Sequence, residues 1–218
     1  MTTPAVEDYL KAIYLLAGEG RAVSTSAIAE RLGVAAASVT GMLKRLAEQG
    51  LVEHVLYHGA RLTPAGEENA VRLVRRHRIL ELFLVRVLGY TWDTVHDQAE
   101  RLEHAASDEL IDRMATHLGE PDVDPHGDPI PAAVGPFHEP SYPPLAELPA
   151  GQSAVLRRVS DANPEALRYL AGLGLVPGTR LVVTETAPFG GPLTVRARGR
   201  NHILGRELCQ TIHVEPVS

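Results

Sequence analysis

The sequence predicts a mainly α protein with a small β-barrel at its C-terminal end. Three observations carry that prediction. Apolar residues at helical spacing, punctuated by caps and glycine stops, fill roughly the first 120 residues. Nine of the 16 prolines fall within residues 121–149. Beyond about Leu148 the helical pattern gives way to short β-type runs. The chain therefore divides into a winged helix-turn-helix at 1–63, a helical domain at 64–120, a Pro-rich connector at 121–147 and an SH3-like domain at 148–218.

The first helix is expected over 4–17. Pro4 suits a first helical position, and Val6, Leu10, Ile13, Tyr14 and Ala17 repeat at helical spacing before Gly18 and Gly20. Ser24 or Thr25 can cap a short second helix that Gly33 ends. A third runs from about Ala36 to Gln49 with Val39, Met42, Leu43 and Leu46 inward. LVEHVLY and ARLT around His58-Gly59 form a hairpin. Two short helices joined by a tight turn and followed by a hairpin describe a winged helix-turn-helix, which reads DNA through its second helix. Ser38, Thr40, Lys44 and Arg45 lie on that helix, and Thr25 and Ser26 open the one before it. Small hydroxyls permit close approach to phosphates and thymine methyls, while Arg61 and His58 in the wing can reach the backbone.

Thr63-Pro64 opens a long helix of about 64–88 that Gly89 stops; Thr91 caps one of about 92–105, and Ser107 one of about 108–118. The long helix is apolar nearly all round its C-terminal half, through Ile79, Leu80, Leu82, Phe83, Leu84, Val87 and Leu88. A helix of that kind is buried on several sides, as in a dimer core, and two-fold dimers suit palindromic DNA. The connector is expected to be ordered only in part. SAVLRRV, RLVVTET, LTVRARG and TIHVEP then supply strands, with one helix from Pro164 to about Leu173 between the first two.

Composition narrows the class. Hydrophobic residues are 44% and charged residues 22%, the balance of a globular protein with a core. No apolar run approaches the roughly 20 residues of a membrane helix, and no secretory signal precedes the first helix, so a cytoplasmic protein is expected. One cysteine, Cys209, excludes an internal disulfide and a Cys-rich zinc site. The net charge of −6 is unevenly spread: residues 1–76 hold 9 basic and 8 acidic side chains, and the other 12 and 19 follow. That asymmetry permits a DNA-binding N-terminal segment in an acidic chain.

The chemistry lies on two consecutive helices. His77 and Glu81 are spaced i,i+4; His96, Glu100, Glu103 and His104 are spaced i, i+4, i+7, i+8 and share a face. Val95, Ala99, Leu102 and Ala106 form the expected core stripe, so the polar groups border the buried face. Carboxylates and imidazoles at that border cost desolvation unless they pair or bind a metal. Isolated His–Glu pairs are ordinary on solvated helix faces; six such groups on two helices point to a metal. Imidazole with carboxylate and no thiolate suits Mn2+, Fe2+, Co2+ or Zn2+. The sequence has neither HExxH nor a Gly-rich nucleophile elbow, so a metal-dependent hydrolase is disfavoured and no enzyme is expected. A winged-helix regulator answering an organic effector, with a purely structural metal site, is the other alternative.

The order of elements, with RRHRILELFL, VHDQAERLEH and SDEL followed by DPHGDPIP, resembles the diphtheria-toxin-repressor family of metal-dependent repressors. The closer likeness is to its three-domain manganese-transport-regulator branch, whose third domain is SH3-like, or FeoA-like. The resemblance covers nearly the whole chain. It implies a homodimer that binds the palindromic operators of metal-uptake genes in double-stranded DNA when a divalent ion is bound, with no membrane partner and no organic substrate. It also implies a primary metal site at Asp8, Glu100, Glu103 and His104. Iron-sensing members carry methionine and cysteine at the positions of Asp8 and Glu100; two carboxylates here favour Mn2+ over Fe2+, with Co2+ or Zn2+ as substitutes in vitro. Lys11 stands where short manganese sensors have a glutamate of a two-metal cluster, and a protonated lysine cannot coordinate. A second site is implied at His77, Glu81 and His96, or at Glu81 with Asp124, His126 and Asp161. By themselves, Asp124 reads as a turn residue bonding its own backbone and Asp161 as a helix N-terminal acid.

Overall fold

In a computed structural model the described residues are 3–17, 21–55, 59–135 and 137–217. They form two compact units, one of residues 1–77, 102–110 and 131–137, the other of 78–101, 111–130 and 138–218. Among the described residues no helix is long and apolar enough to cross a membrane.

The first unit holds α1 (Pro4–Ala17), α2 (Thr25–Leu32), α3 (Ala36–Glu48) and a two-stranded ribbon of β1 (Val52–Val55) and β2 (Gly59–Leu62). Ser24 is the cap of α2, accepting a hydrogen bond from Ala27 N, and Gly33 closes that helix in the left-handed conformation. Leu10, Ile13, Ile28, Val39, Leu43 and Leu46 are all buried in one core. The ribbon pairs Val52 with Leu62 in antiparallel register, and Val23 bridges Ala60. Gly59 makes that bridge possible: at φ +102° a β-carbon there would lie 2.0 Å from Val23 O. His58, expected at the ribbon's tip, lies outside the described residues.

Two helices are divided between the units: α4 (Pro64–Leu88), whose residues to His77 belong to the first, and α5 (His96–Glu103), whose residues to Arg101 belong to the second. The latter is shorter than its sequence pattern, since residues 92–94 form a turn before it. The core stripe of α5 also differs from expectation. Val95, Ala99 and Ala106 are buried, but Leu102 is 43% exposed and Glu103 is 0% exposed. The buried stripe passes through the carboxylate because a lysine and a histidine from two other helices meet it there.

The second unit adds α6 (Asp108–His117, from its Ile111 onward) and a five-stranded antiparallel sheet. Its strands are β3 (Ser153–Val159), β4 (Arg180–Thr186), β5 (Leu193–Ala197), β6 (Arg200–Leu204) and β7 (Ile212–Val217), in the order β6-β5-β4-β3-β7. The helices α7 (Pro164–Leu173) and α8 (Arg206–Gln210) pack with it around Leu156, Leu167, Leu170, Val183, Val195 and Ile212. Asn163 caps α7 through its side chain. β6 and α8 have no counterpart in the sequence reading.

Two stretches of the connector are held in place, the Asp124 turn and the turn at Leu145–Glu147. Asp124 Oδ1 accepts hydrogen bonds from His126 N (2.8 Å) and Asp128 N (2.9 Å), so the turn is fixed by its own side chain. Val159 N of β3 donates to His126 O at 3.0 Å. Arg78, 5% exposed, donates to Pro129 O and Glu139. A 3-10 turn at Leu145–Glu147 then buries Leu145 completely in the barrel core. Gly127, at φ +90°, lies so close to β3 that a β-carbon would sit 1.8 Å from Arg157 O. Gly127→Ala should therefore cost about 3 kcal/mol or more in a urea unfolding experiment. A loss below about 0.5 kcal/mol would show that this packing does not hold the turn.

Candidate metal centres

In the first unit, α1 presents Glu7, Asp8 and Lys11 on adjoining turns. His104 sits just past the C-terminal end of α5, with both ring nitrogens facing carboxylates. Its Nε2 lies 2.9 Å from Asp8 Oδ1 and 3.8 Å from Glu103 Oε1, and its Nδ1 lies 2.8 Å from Glu7 Oε2. Ligand atoms of Asp8, Glu103 and His104 fall within 4.8 Å of one another. Burial lowers the His104 pKa, but the Glu7 hydrogen bond and the charges of Asp8 and Glu103 outweigh it and raise the pKa above its ordinary value. The cluster thus favours positive charge at Nε2. Glu7 completes the arrangement: bonded to Nδ1, it orients the ring as an outer carboxylate does for a metal-ligating histidine. Neither spacing nor composition had marked Glu7; its place beside Asp8 was the available signal. His77, 6% exposed, places Nδ1 2.6 Å from Glu103 Oε2.

The second unit holds six of the sequence candidates. Glu81, 1% exposed, lies at their centre. One of its oxygens is 3.3 Å from His96 Nδ1 and the other 3.5 Å from His126 Nδ1. His96 Nδ1 is also 2.9 Å from Asp161 Oδ2. Ligand atoms of Glu81, Asp124 and His126 lie within 4.8 Å of one another. Asp124 therefore serves the turn through Oδ1 and still faces the cluster. Its full burial, with Asp128 and Glu81 close by, raises its pKa well above the ordinary carboxylate value. Glu100 stands one turn from His96, with Oε1 3.8 Å from His96 Nε2.

The donor chemistry fits a divalent ion. His126 is fully buried, its Nε2–H donates to Trp92 O at 2.6 Å, and its Nδ1 has no hydrogen-bond partner among the described residues. Nδ1 faces Glu81, so that position takes a proton when the ring is charged and offers a lone pair to a metal when it is neutral. Every candidate donor in both units is an oxygen or an imidazole nitrogen. The sole cysteine, Cys209, is buried in the barrel core.

The DNA-facing candidates are on the surface of the first unit. Ser26, Ser38, Thr40, Lys44 and Arg45 are exposed and Thr25 half-buried. Ser38, Lys44 and Arg45 line one shallow groove with Gly41, Met42 and Glu48. Thr40 Oγ1 donates to Ala36 O, so its hydrogen is used within the helix. Arg61 pairs across the ribbon with Glu53 at 3.3 Å.

Three family models match the chain in succession. Residues 1–60 match the iron-dependent repressor N-terminal DNA-binding domain, 63–132 its metal-binding and dimerisation domain, and 144–216 the FeoA domain. The iron-dependent repressor IdeR of Mycobacterium tuberculosis is 33% identical over 97% of this chain and 96% of its own length. The HTH-type transcriptional regulator MntR of Lysinibacillus sphaericus is 41% identical over 53% of this chain and 82% of its own. A solved structure of a manganese-dependent transcriptional repressor in complex with manganese superposes with a TM-score of 0.90 at 42% identity, covering 97% of this chain and all of that one.

The second unit makes a pH prediction. The Asp161 and Glu81 hydrogen bonds raise the His96 pKa to about 10 against the opposing effect of burial. Burial opposes, and Glu81 with Asp124 overcomes it, in raising His126 to about 9. Both imidazoles are protonated at neutral pH and must shed a proton to coordinate. Metal affinity at this centre should rise with pH up to those values, by about tenfold per unit for each imidazole used, with proton release on binding. Calorimetry in buffers of different ionisation enthalpy reads both. Pure pH independence between about 6 and 8, without proton release, would remove these histidines from the ligand set.

Proposed function

The chain belongs to the diphtheria-toxin-repressor family of metal-dependent transcriptional repressors, which are DNA-binding proteins and not enzymes, and from that premise we propose that it is a manganese-dependent repressor of metal-uptake genes. The observation that carries the metal assignment is the donor set: carboxylates and imidazoles at both centres, and Asp8 on α1 in place of a soft sulfur ligand. Hard oxygen donors suit Mn2+ better than they suit the softer alternatives, while Zn2+ and Co2+ would still bind in vitro by raw affinity. The 42% identity to a repressor solved with manganese supports the same reading. Fe2+ is the second reading, favoured by the whole-length likeness to IdeR.

The head centre would be held by Asp8, Glu103 and His104, with Glu100 as the further carboxylate that the resemblance adds. The second would be held by Glu81, His96, Asp124, His126 and Asp161, with His77 as the ancillary ligand implied for it. The domain limits stay as read from the sequence, at 63, 120 and 147. A divalent ion at the head supplies two positive charges that offset the clustered carboxylates. The protein's own residues do the rest. Asp8 and Glu7 belong to α1 of the DNA-binding head, and Glu103 and His104 to the end of α5. Fixing the first pair against the second fixes α1, which packs on α2, as α2 does on the recognition helix α3 in one shared core. In a cytoplasmic homodimer two heads so held would meet successive major grooves about 34 Å apart. Ser38, Thr40, Lys44 and Arg45 would then face the operator, with Thr25 and Ser26 against its backbone.

The test is binding to the promoter of a metal-uptake gene, read by fluorescence anisotropy with chelator and with Mn2+ or Fe2+ under anaerobic conditions. Metal should tighten binding by about 5- to 150-fold. Asp8→Ala should lose that response, and Asp8→Met should shift the preference toward Fe2+. Equal binding with chelator would overturn metal control, and a wild-type response to Fe2+ alone would select the iron reading.

A further inference from the structure

Lys11 is a lysine where the fold leaves almost no solvent. It is 7% exposed, and its ammonium donates to both oxygens of Glu103, at 3.0 and 2.9 Å. The same Nζ lies 3.1 Å from His77 Nδ1. Glu103 is also a member of the Asp8–Glu103–His104 cluster. One buried carboxylate is thus shared between a fixed organic cation and the place where a divalent ion would sit. Asp8 and Lys11 are three residues apart on α1, so the ion's ligand and its competitor project from the same helix face.

Holding an ammonium there is expensive in desolvation and in side-chain order, and an apolar residue of similar length would fill the space without that cost. What the lysine adds is charge, in a place where water screens it little. It neutralises Glu103 in the absence of any other cation, and it opposes the approach of a second positive charge to the same oxygens. We propose that Lys11 is an internal counter-cation that shares Glu103 with the ion and so sets the free metal concentration at which the head centre fills. This rests on reading Asp8, Glu103 and His104 as a metal site, and it extends that reading from which residues bind to how tightly they do so.

The experiment is Mn2+ binding to the full chain without DNA, followed by loss of the free-ion electron paramagnetic resonance signal. The part of the isotherm that Asp8→Ala removes identifies the head centre. Lys11→Met and Lys11→Gln, which keep length and lose charge, should fill that part at about tenfold lower free Mn2+ or less, whereas Lys11→Arg, which keeps the charge, should stay near wild type. Circular dichroism in chelator chooses which of the two neutral variants is folded for the comparison. Wild-type affinity or weaker binding in the folded neutral variant overturns the proposal. An isotherm that Asp8→Ala leaves unchanged overturns instead the site on which the proposal rests.

Discussion

The first unit depends on the burial of one carboxylate. Glu103 is without solvent and in contact with the Lys11 ammonium and the His77 ring. Taking a carboxylate out of water costs several kcal/mol, and only partners from elsewhere in the fold offset that cost. Here one partner comes from the first helix of the DNA-binding head and the other from the long helix α4. The local stripe of α5 yields to this need: Leu102 turns outward so that Glu103 can turn in. The consequence is a charge-based tie between a DNA-binding element and the end of a helix in the metal-binding segment. A tie of that kind responds to cations, as an apolar contact would not.

Glu81 has the corresponding place in the second unit. It faces His96 and His126, and Asp161 reaches His96 from the segment that leads into α7. The connector, α5 and the barrel therefore meet at one polar cluster. The raised His96 and His126 pKa values, and the Asp161 pKa lowered to about 2 by the His96 hydrogen bond against its burial, follow from that packing of opposite charges. Arg78, Asp128, Arg158 and Glu139 surround the connector turn with a second set of ion pairs. Order in a proline-rich stretch comes from these side chains, together with the Asp124 turn.

Much of the fold was legible because its signals are local. Thr63-Pro64 and Gly89 bracket α4, Asn163-Pro164 and Gly174 bracket α7, and the alternation in SAVLRRV sets β3. β6 escaped because it is an edge strand in which Arg200, Asn201 and even Ile203 are exposed, leaving no apolar alternation to read. The candidate site was drawn from residue types and helical spacings, which supplied His77, Glu81, His96, Glu100, Glu103 and His104, and from the resemblance, which supplied Asp8, Asp124, His126 and Asp161. What was not legible was pairing over distance. Lys11 meets Glu103 across 92 residues, and Glu7 meets His104 across 97. No periodicity records such contacts, so a lysine that looked merely unable to coordinate proves to hold the candidate carboxylate Glu103.

A cation held at the Asp8–Glu103–His104 cluster would fix the head through α1. Hydrogen–deuterium exchange of the α1 amides, in chelator and at saturating Mn2+, tests it without requiring a known operator. Slower exchange over residues 6–14 on loading is expected, with no slowing there in Asp8→Ala. Exchange over α1 that is unchanged while Mn2+ is demonstrably bound would contradict it.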